Sequence, residues 1–258
     1  MTYLKKLRIL TTLRFFVFII FTIVIFFNFF DISVFKLSRS FHGLFFEFFK
    51  EIVDPISDIL DPLHIIIICL LILVFNTNIK YTLSNNDKLK IIRNNLNFSL
   101  DKIIALFNYL SILCKHFILS LVSAGVLCNL FKYIFGVSRP KYFFLEGYER
   151  YNFFNIEHKV NSFPSGHTQA AFTLAMLIII YSNRYAFYII TLAFLMSLSR
   201  IFMSMHFPSD LIAGAYLGSV VPLILYEKIY REKIETIKKK HNIKFKDLIK
   251  LLYWRIFI

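Results

Sequence analysis

Three short clusters hold the residues whose types and spacing could do chemistry. Lys132 is followed after six residues by Arg139 and Pro140. Ser162, Pro164, Ser165, Gly166 and His167 come next, and Ser199 and Arg200 are followed after five residues by His206 and after three more by Asp210. Lys132, Arg139 and Arg200 hold their charge at neutral pH, and Ser165 and Gly166 offer free backbone N–H groups where a helix is expected to begin. Cations beside such a helix start make an anion site suited to phosphate. Two histidines and a carboxylate complete the set. A neutral imidazole can attack phosphorus, a second can protonate the leaving oxygen, and a carboxylate can hold the attacking ring in the required tautomer. This is triad logic with histidine as the nucleophile.

Those clusters need elements that bring them to one depth, and the composition says what kind. Of 258 residues 57% are hydrophobic, Phe alone supplies 32, and the net charge is +14. So apolar a chain is not disordered, and its excess over one soluble core points to membrane spans. Stretches of about 20 apolar residues are expected at about 15–30, 63–83, 111–133, 166–182, 185–203 and 209–226. The first follows Lys5, Lys6, Arg8 and Arg14 like a signal peptide, but no small-residue cleavage site follows Phe29, Phe30 and Asp31, so it reads as an uncleaved span.

Assigning alternate loops to opposite sides places +15 on the side of the N-terminus and −1 on the other. This is the positive-inside pattern. It predicts both termini in the cytoplasm, turns the +14 into a statement of orientation instead of a nucleic-acid footprint, and puts all three clusters on the outer face. Lys115 and His116, near one end of the third span, are expected to snorkel to the interface.

Between the first two spans, Phe41, Leu44, Phe45, Phe48, Phe49 and Ile52 recur at helical spacing opposite Glu47, Lys50 and Glu51, which predicts an amphipathic helix in the outer interface. The aromatic-rich 141–154 loop suits either an interfacial belt or a lid. Cys69, Cys114 and Cys128 lie in apolar runs without metal-ligand spacing and read as buried small hydrophobes. Gly214 and Gly218 form a small-xxx-small pair that permits close helix approach. The chain reads as a single all-α, polytopic membrane domain of six transmembrane helices plus the interfacial helix. Residues 227–258 form a basic cytoplasmic tail in which Lys238, Lys239 and Lys240 make a solvated or headgroup-touching face.

The three clusters resemble the three sequence motifs of the type 2 phosphatidic acid phosphatase superfamily, and no motif position departs from the pattern. The resemblance implies that His206 is the nucleophile forming a phosphohistidine, Asp210 orients it, and His167 protonates the leaving group. It further implies that Lys132, Arg139, Ser165, Gly166 and Arg200 bind the phosphoryl oxygens. Family members need no metal or other cofactor. The implied protein is a metal-independent lipid phosphatase of the bacterial inner membrane, acting at the periplasmic face on a lipid phosphate, with no nucleic-acid partner. Lipid A, undecaprenyl pyrophosphate, phosphatidylglycerophosphate and phosphatidic acid are all open as substrates. Two other readings stand beside it: an enzyme like the vanadium-dependent haloperoxidases, and a non-catalytic membrane lipid-binding protein.

Overall fold

The structure is a computed structural model that describes residues 2–41, 43–82, 98–244, 246–248 and 250. Residues 83–97, which include the end of the expected second span, and positions 245, 249 and 251–258 of the tail lie outside the described residues. All described regular structure is helical apart from one antiparallel bridge between Val137 and Tyr151.

Four helical stretches are long and apolar enough to cross a membrane: Leu13–Ser40, Leu44–Thr77, Leu100–Phe135 and Pro208–His241. Gly166–Tyr181 and Ala186–Phe202 are apolar but shorter. The starts follow local capping chemistry. Thr12 Oγ1 accepts from Phe15 N at 3.3 Å, Asp61 Oδ1 from Leu63 N at 2.7 Å and Ser165 Oγ from Thr168 N at 3.4 Å, each satisfying a donor that the first helical turn leaves without a partner. Pro62, Pro140 and Pro208 occupy first helical positions, where a missing N–H costs nothing.

Three helices run further than the sequence predicted. The first continues past Phe30 to Ser40 through a π-turn at Phe26–Phe30, the third begins at Leu100, and the last continues to His241. The 41–52 stretch also differs. It folds as Leu44–Glu47 followed by a π-helical Phe48–Val53, and the wider π-turn changes which side chains share a face. Phe49, Val53 and Ser57 are the buried ones, whereas Leu44, Phe45, Phe48 and Ile52 stay exposed. Phe49 and Val53 pack with Ala171, Ala175, Ala193 and Met196, and the Phe49 ring stacks on Phe202 at 4.3 Å.

The chain forms two compact units. One comprises Met1–His64 and Ser120–Ile224, the other Ile65–Leu119 and Leu225–Ile258. All three motif clusters belong to the first.

In the second unit, His116 is fully buried, its ring 4.8 Å from that of Tyr230 and 6.0 Å from that of Tyr226. The snorkelling expected of His116 therefore does not occur, because the helix starts sixteen residues earlier and position 116 lies well inside it; Lys115 is exposed. The tail packs as well. Ile234 is buried, Lys238 Nζ lies 5.3 Å over the Tyr109 ring, and Lys102 pairs with Asp247 at 2.9 Å. Of the three lysines expected on an open face, Lys239 and Lys240 are exposed and Lys238 covers an aromatic ring. All three cysteines are free and buried.

Candidate active site

The first unit builds its site from four helix ends and one folded loop. The Leu100–Phe135 helix ends just beyond Lys132, and the chain after it is folded back by backbone hydrogen bonds. Asn152 N donates to Gly136 O at 2.8 Å, Ser138 N to Arg150 O at 3.1 Å, Ser162 N to Val137 O at 2.8 Å and Arg139 N to Lys159 O at 3.0 Å. Gly136 is obligatory in this hairpin-like return. Its φ is +51°, and a Cβ there would lie 1.7 Å from Asn152 O.

The loop is thereby anchored along its length. Its aromatics divide: Phe143 packs edge-on to Phe207 and Phe144 stacks on Phe35 at 5.0 Å, whereas Tyr151, Phe153 and Phe154 are exposed.

Arg139, at the start of the Pro140–Leu145 helix and almost fully buried, gives Nε and Nη2 to Asn161 Oδ1 at 3.2 and 2.8 Å. This fork holds the guanidinium plane in place. On the other side of the site Ser165 caps the Gly166–Tyr181 helix, and its N–H donates to Asp210 O at 3.0 Å. Lys132 reaches the same helix start, since a Cβ on Gly166 would lie 3.4 Å from Lys132 Nζ. His167 follows one residue later, exposed to the adjoining cavity.

His206 sits in the turn between Ala186–Phe202 and Pro208–Leu225. Its Nδ1 lies 3.2 Å from Ser162 Oγ and 3.5 Å from Asp210 Oδ2, while Ser162 Oγ donates to Asp210 Oδ2 at 2.5 Å. The Ser162 proton is committed to Asp210, so the hydroxyl accepts from Nδ1–H. That leaves the Nε2 lone pair free. Phe207 N also donates to Asp210 Oδ2 at 2.8 Å, and Ser162 and Asp210 are fully buried. Burial above all pushes the His206 imidazole below its ordinary value, with Lys132 and Arg139 adding to the effect and Asp210 opposing it. A ring held neutral is the nucleophilic form.

Arg200 is placed differently from the other cations. Its backbone carbonyl accepts from His206 N at 3.3 Å, but Nη2 is ion-paired with Asp54, and its buried Nε has no hydrogen-bond partner among the described residues. Thus Lys132, Arg139, Ser162, Ser165, Gly166, His206 and Asp210 come together directly, and Arg200 comes with a carboxylate attached.

Sequence reasoning gave no role to several supporting residues. Ser162 bridges His206 and Asp210, Asn161 orients Arg139, and Asp54 holds Arg200. Asp31 accepts from Ser209 N at 2.8 Å and Ser209 Oγ at 2.6 Å and pairs with Arg150, whose guanidinium lies 3.6 Å over the Phe207 ring. This second network fixes the start of the helix that carries Asp210.

The glycine pair is explained by backbone proximity. A Cβ on Gly214 would fall 2.5 Å from Ser165 O, and one on Gly218 2.3 Å from Gln169 O. The two helices therefore meet at backbone distance, directly behind the Ser165 to Asp210 hydrogen bond. Gly214→Ala is expected to force them apart, at about 1–3 kcal/mol of stability for overpacking. A lowered Tm in detergent checks this, and an unchanged Tm would mean that the helices can give way at this contact.

Residues 114–234 match the sequence model of the PAP2 superfamily. The bacitracin transport permease protein BcrC of Bacillus licheniformis is 35% identical over 109 residues, covering 36% of this chain and 53% of that protein. The lipid A 1-phosphatase of Rhizobium etli is 33% identical over 125 residues, 46% of this chain and 53% of that protein. The lipid A 1-phosphatase of Rhizobium johnstonii is 33% identical over 118 residues, 45% of this chain and 48% of that protein. The chain thus spans about half the length of the curated relatives it matches. No solved structure matches.

Proposed function

Since residues 114–234 match the sequence model of the PAP2 superfamily, we propose that the protein is a member of that superfamily and an integral-membrane lipid phosphatase that works through a phosphohistidine. The observation that carries this reading is the hydrogen-bond chain from His206 Nδ1 through Ser162 to Asp210, set against Lys132, Arg139 and the N-terminus of the Gly166–Tyr181 helix.

The chemistry follows from that arrangement. Lys132, Arg139, Arg200, Ser165 and the Gly166 N–H hold the phosphoryl oxygens and the charge that grows on them. His206 Nε2 attacks phosphorus, the bond from phosphorus to the leaving oxygen breaks, and that oxygen takes a proton from His167. Water then attacks the phosphohistidine while giving a proton to His167, the P–N bond breaks, and inorganic phosphate leaves. No metal enters these steps.

A bacterial inner membrane with six spans suits the bacterial relatives, the charge asymmetry, and the pair Gly166–Tyr181 and Ala186–Phe202 taken as two short spans. Both termini are then cytoplasmic and the site periplasmic. The exposed Leu44, Phe45, Phe48 and Ile52 are the side that meets lipid at the outer interface.

Phosphate release by the purified protein in EDTA, from lipid A, undecaprenyl pyrophosphate, phosphatidylglycerophosphate and phosphatidic acid, tests the reading. Turnover of at least one substrate is expected, and strict dependence on added Mg²⁺ would contradict the metal-free route.

A pH dependence also follows. The His206 ring must be neutral to attack, and its value in the folded protein lies below the ordinary ~6.5. The acid limb of kcat/KM assigned to His206 is therefore expected below pH ~6.5, once the second ionisation of the substrate phosphate near ~6 is allowed for. Stability has the same sign. The unfolded chain gains a proton near ~6.5 that the folded one refuses, so stability falls as pH drops through that value. An acid limb at or above 6.5 would mean that His206 is not held in its neutral form.

A further inference from the structure

A cavity of about 250 Å³ opens beside the phosphate-handling residues, and Lys132, Gly166 and His167 line one end of it. The rest of its wall includes apolar Leu60, Ala171 and Met196 and polar Asp61, Asn129 and Gln169. His167 is the acid for the leaving oxygen, so what leaves must lie on this side.

Size and polarity then limit what the cavity can take. At about 250 Å³ it is smaller than the ~300–1,000 Å³ typical of sites for drug-sized ligands, so it holds a ring-sized group and not a whole acylated lipid. Asp61 Oδ1 is used as the cap of the Pro62–Thr82 helix, whereas Oδ2 of this half-buried carboxylate and the exposed Asn129 amide, with no hydrogen-bond partner among the described residues, face whatever enters the cavity. A bare hydrocarbon chain would leave a carboxylate and an amide desolvated and unpaired, at about 1–3 kcal/mol per group and more for the charge. A second phosphate would meet the Asp61 carboxylate as a like charge. Hydroxyl groups satisfy both residues.

Resting on the phosphatase reading, we infer that the cavity between His167, Asp61 and Asn129 receives the group esterified to the transferred phosphate. That group is a hydroxyl-bearing one, a sugar ring or polyol. The substrate is then a phosphate monoester, not a pyrophosphate.

The test compares kcat/KM for four substrates in the same mixed micelles. Lipid A carries its phosphate on a sugar, phosphatidylglycerophosphate on a glycerol, phosphatidic acid on a diacylglycerol, and undecaprenyl pyrophosphate on another phosphate. The wild type is expected to favour one or both of the first two at least ~10-fold over the last two, and the two arms tell sugar from polyol. Asp61→Asn, which keeps a capping side chain, is expected to shrink that ratio ~10-fold or more, on the scale of one hydrogen bond to a charged group. Asn129→Leu should shrink it in the same direction, so the inference stays testable if one variant fails to fold. A wild type that prefers phosphatidic acid or the pyrophosphate overturns the inference, as do variants that slow all substrates equally. Either of those results leaves the phosphatase reading standing. Release from none of the four overturns that reading and this inference with it.

Discussion

His206→Ala is expected to lower phosphate release by at least ~10³-fold, the scale on which loss of a catalytic nucleophile acts. The size of the effect follows from how the ring is built in. His206 is 3% exposed, and its Nδ1 is occupied by Ser162 and Asp210, so in the proposed mechanism Nε2 is the atom that attacks phosphorus. Alanine removes that atom, and neither Ser162 nor Asp210 can stand in for it, since both are fully buried. Phosphate release in a fixed-time assay, with the variant's Tm in detergent as a folding control, measures the loss. A well-folded variant that keeps a tenth of wild-type turnover would place the nucleophile elsewhere.

Arg139→Ala is expected to cost at least ~100-fold in kcat, in the range found on removing one donor to a transition-state oxyanion. Arg139 is 6% exposed, its Nε and Nη2 are committed to Asn161 Oδ1, and among the described residues Nη1 has only Met205 Sδ at 3.8 Å. The guanidinium is therefore already oriented, and in the proposed mechanism Nη1 meets a phosphoryl oxygen. Arg139→Lys is expected to recover little, because an ammonium cannot make the fork to Asn161 and face the phosphate at once. Steady-state kinetics on both variants check this. A rise in KM with kcat unchanged would show that Arg139 binds substrate and transition state alike.

The parts of the site that could be read from the sequence share one property: their chemistry is visible within a few residues. His206 and Asp210 are four apart in one turn, and Ser165, Gly166 and His167 are contiguous at a helix start, so residue types and spacing sufficed. The helix starts at Gly166 and Pro208 were legible for the same reason, through a capping serine and a proline at the first position.

What was hidden depends on contacts far along the chain. Ser162 reaches Asp210 across 48 residues, Arg200 reaches Asp54 across 146, and Asp31 reaches Ser209 across 178. No local pattern announces such pairs. The 41–52 stretch differs from its sequence pattern in one detail. Its π-turns depart from a 3.6-residue period, so Phe49 turns inward with Val53 and Ser57 while Phe41, Leu44, Phe45, Phe48 and Ile52 stay exposed. His116 was misplaced because the third helix begins at Leu100, in a stretch whose charged residues do not look like membrane span.

A phosphohistidine route requires a covalent phosphate on His206. Brief reaction with substrate labelled in the phosphoryl group, followed by an alkaline denaturing quench that preserves phosphohistidine, measures it directly. Label is expected on the wild-type chain, located at His206 and absent from His206→Ala. Label on another residue, or turnover with no label trapped under any quench time, would contradict that route.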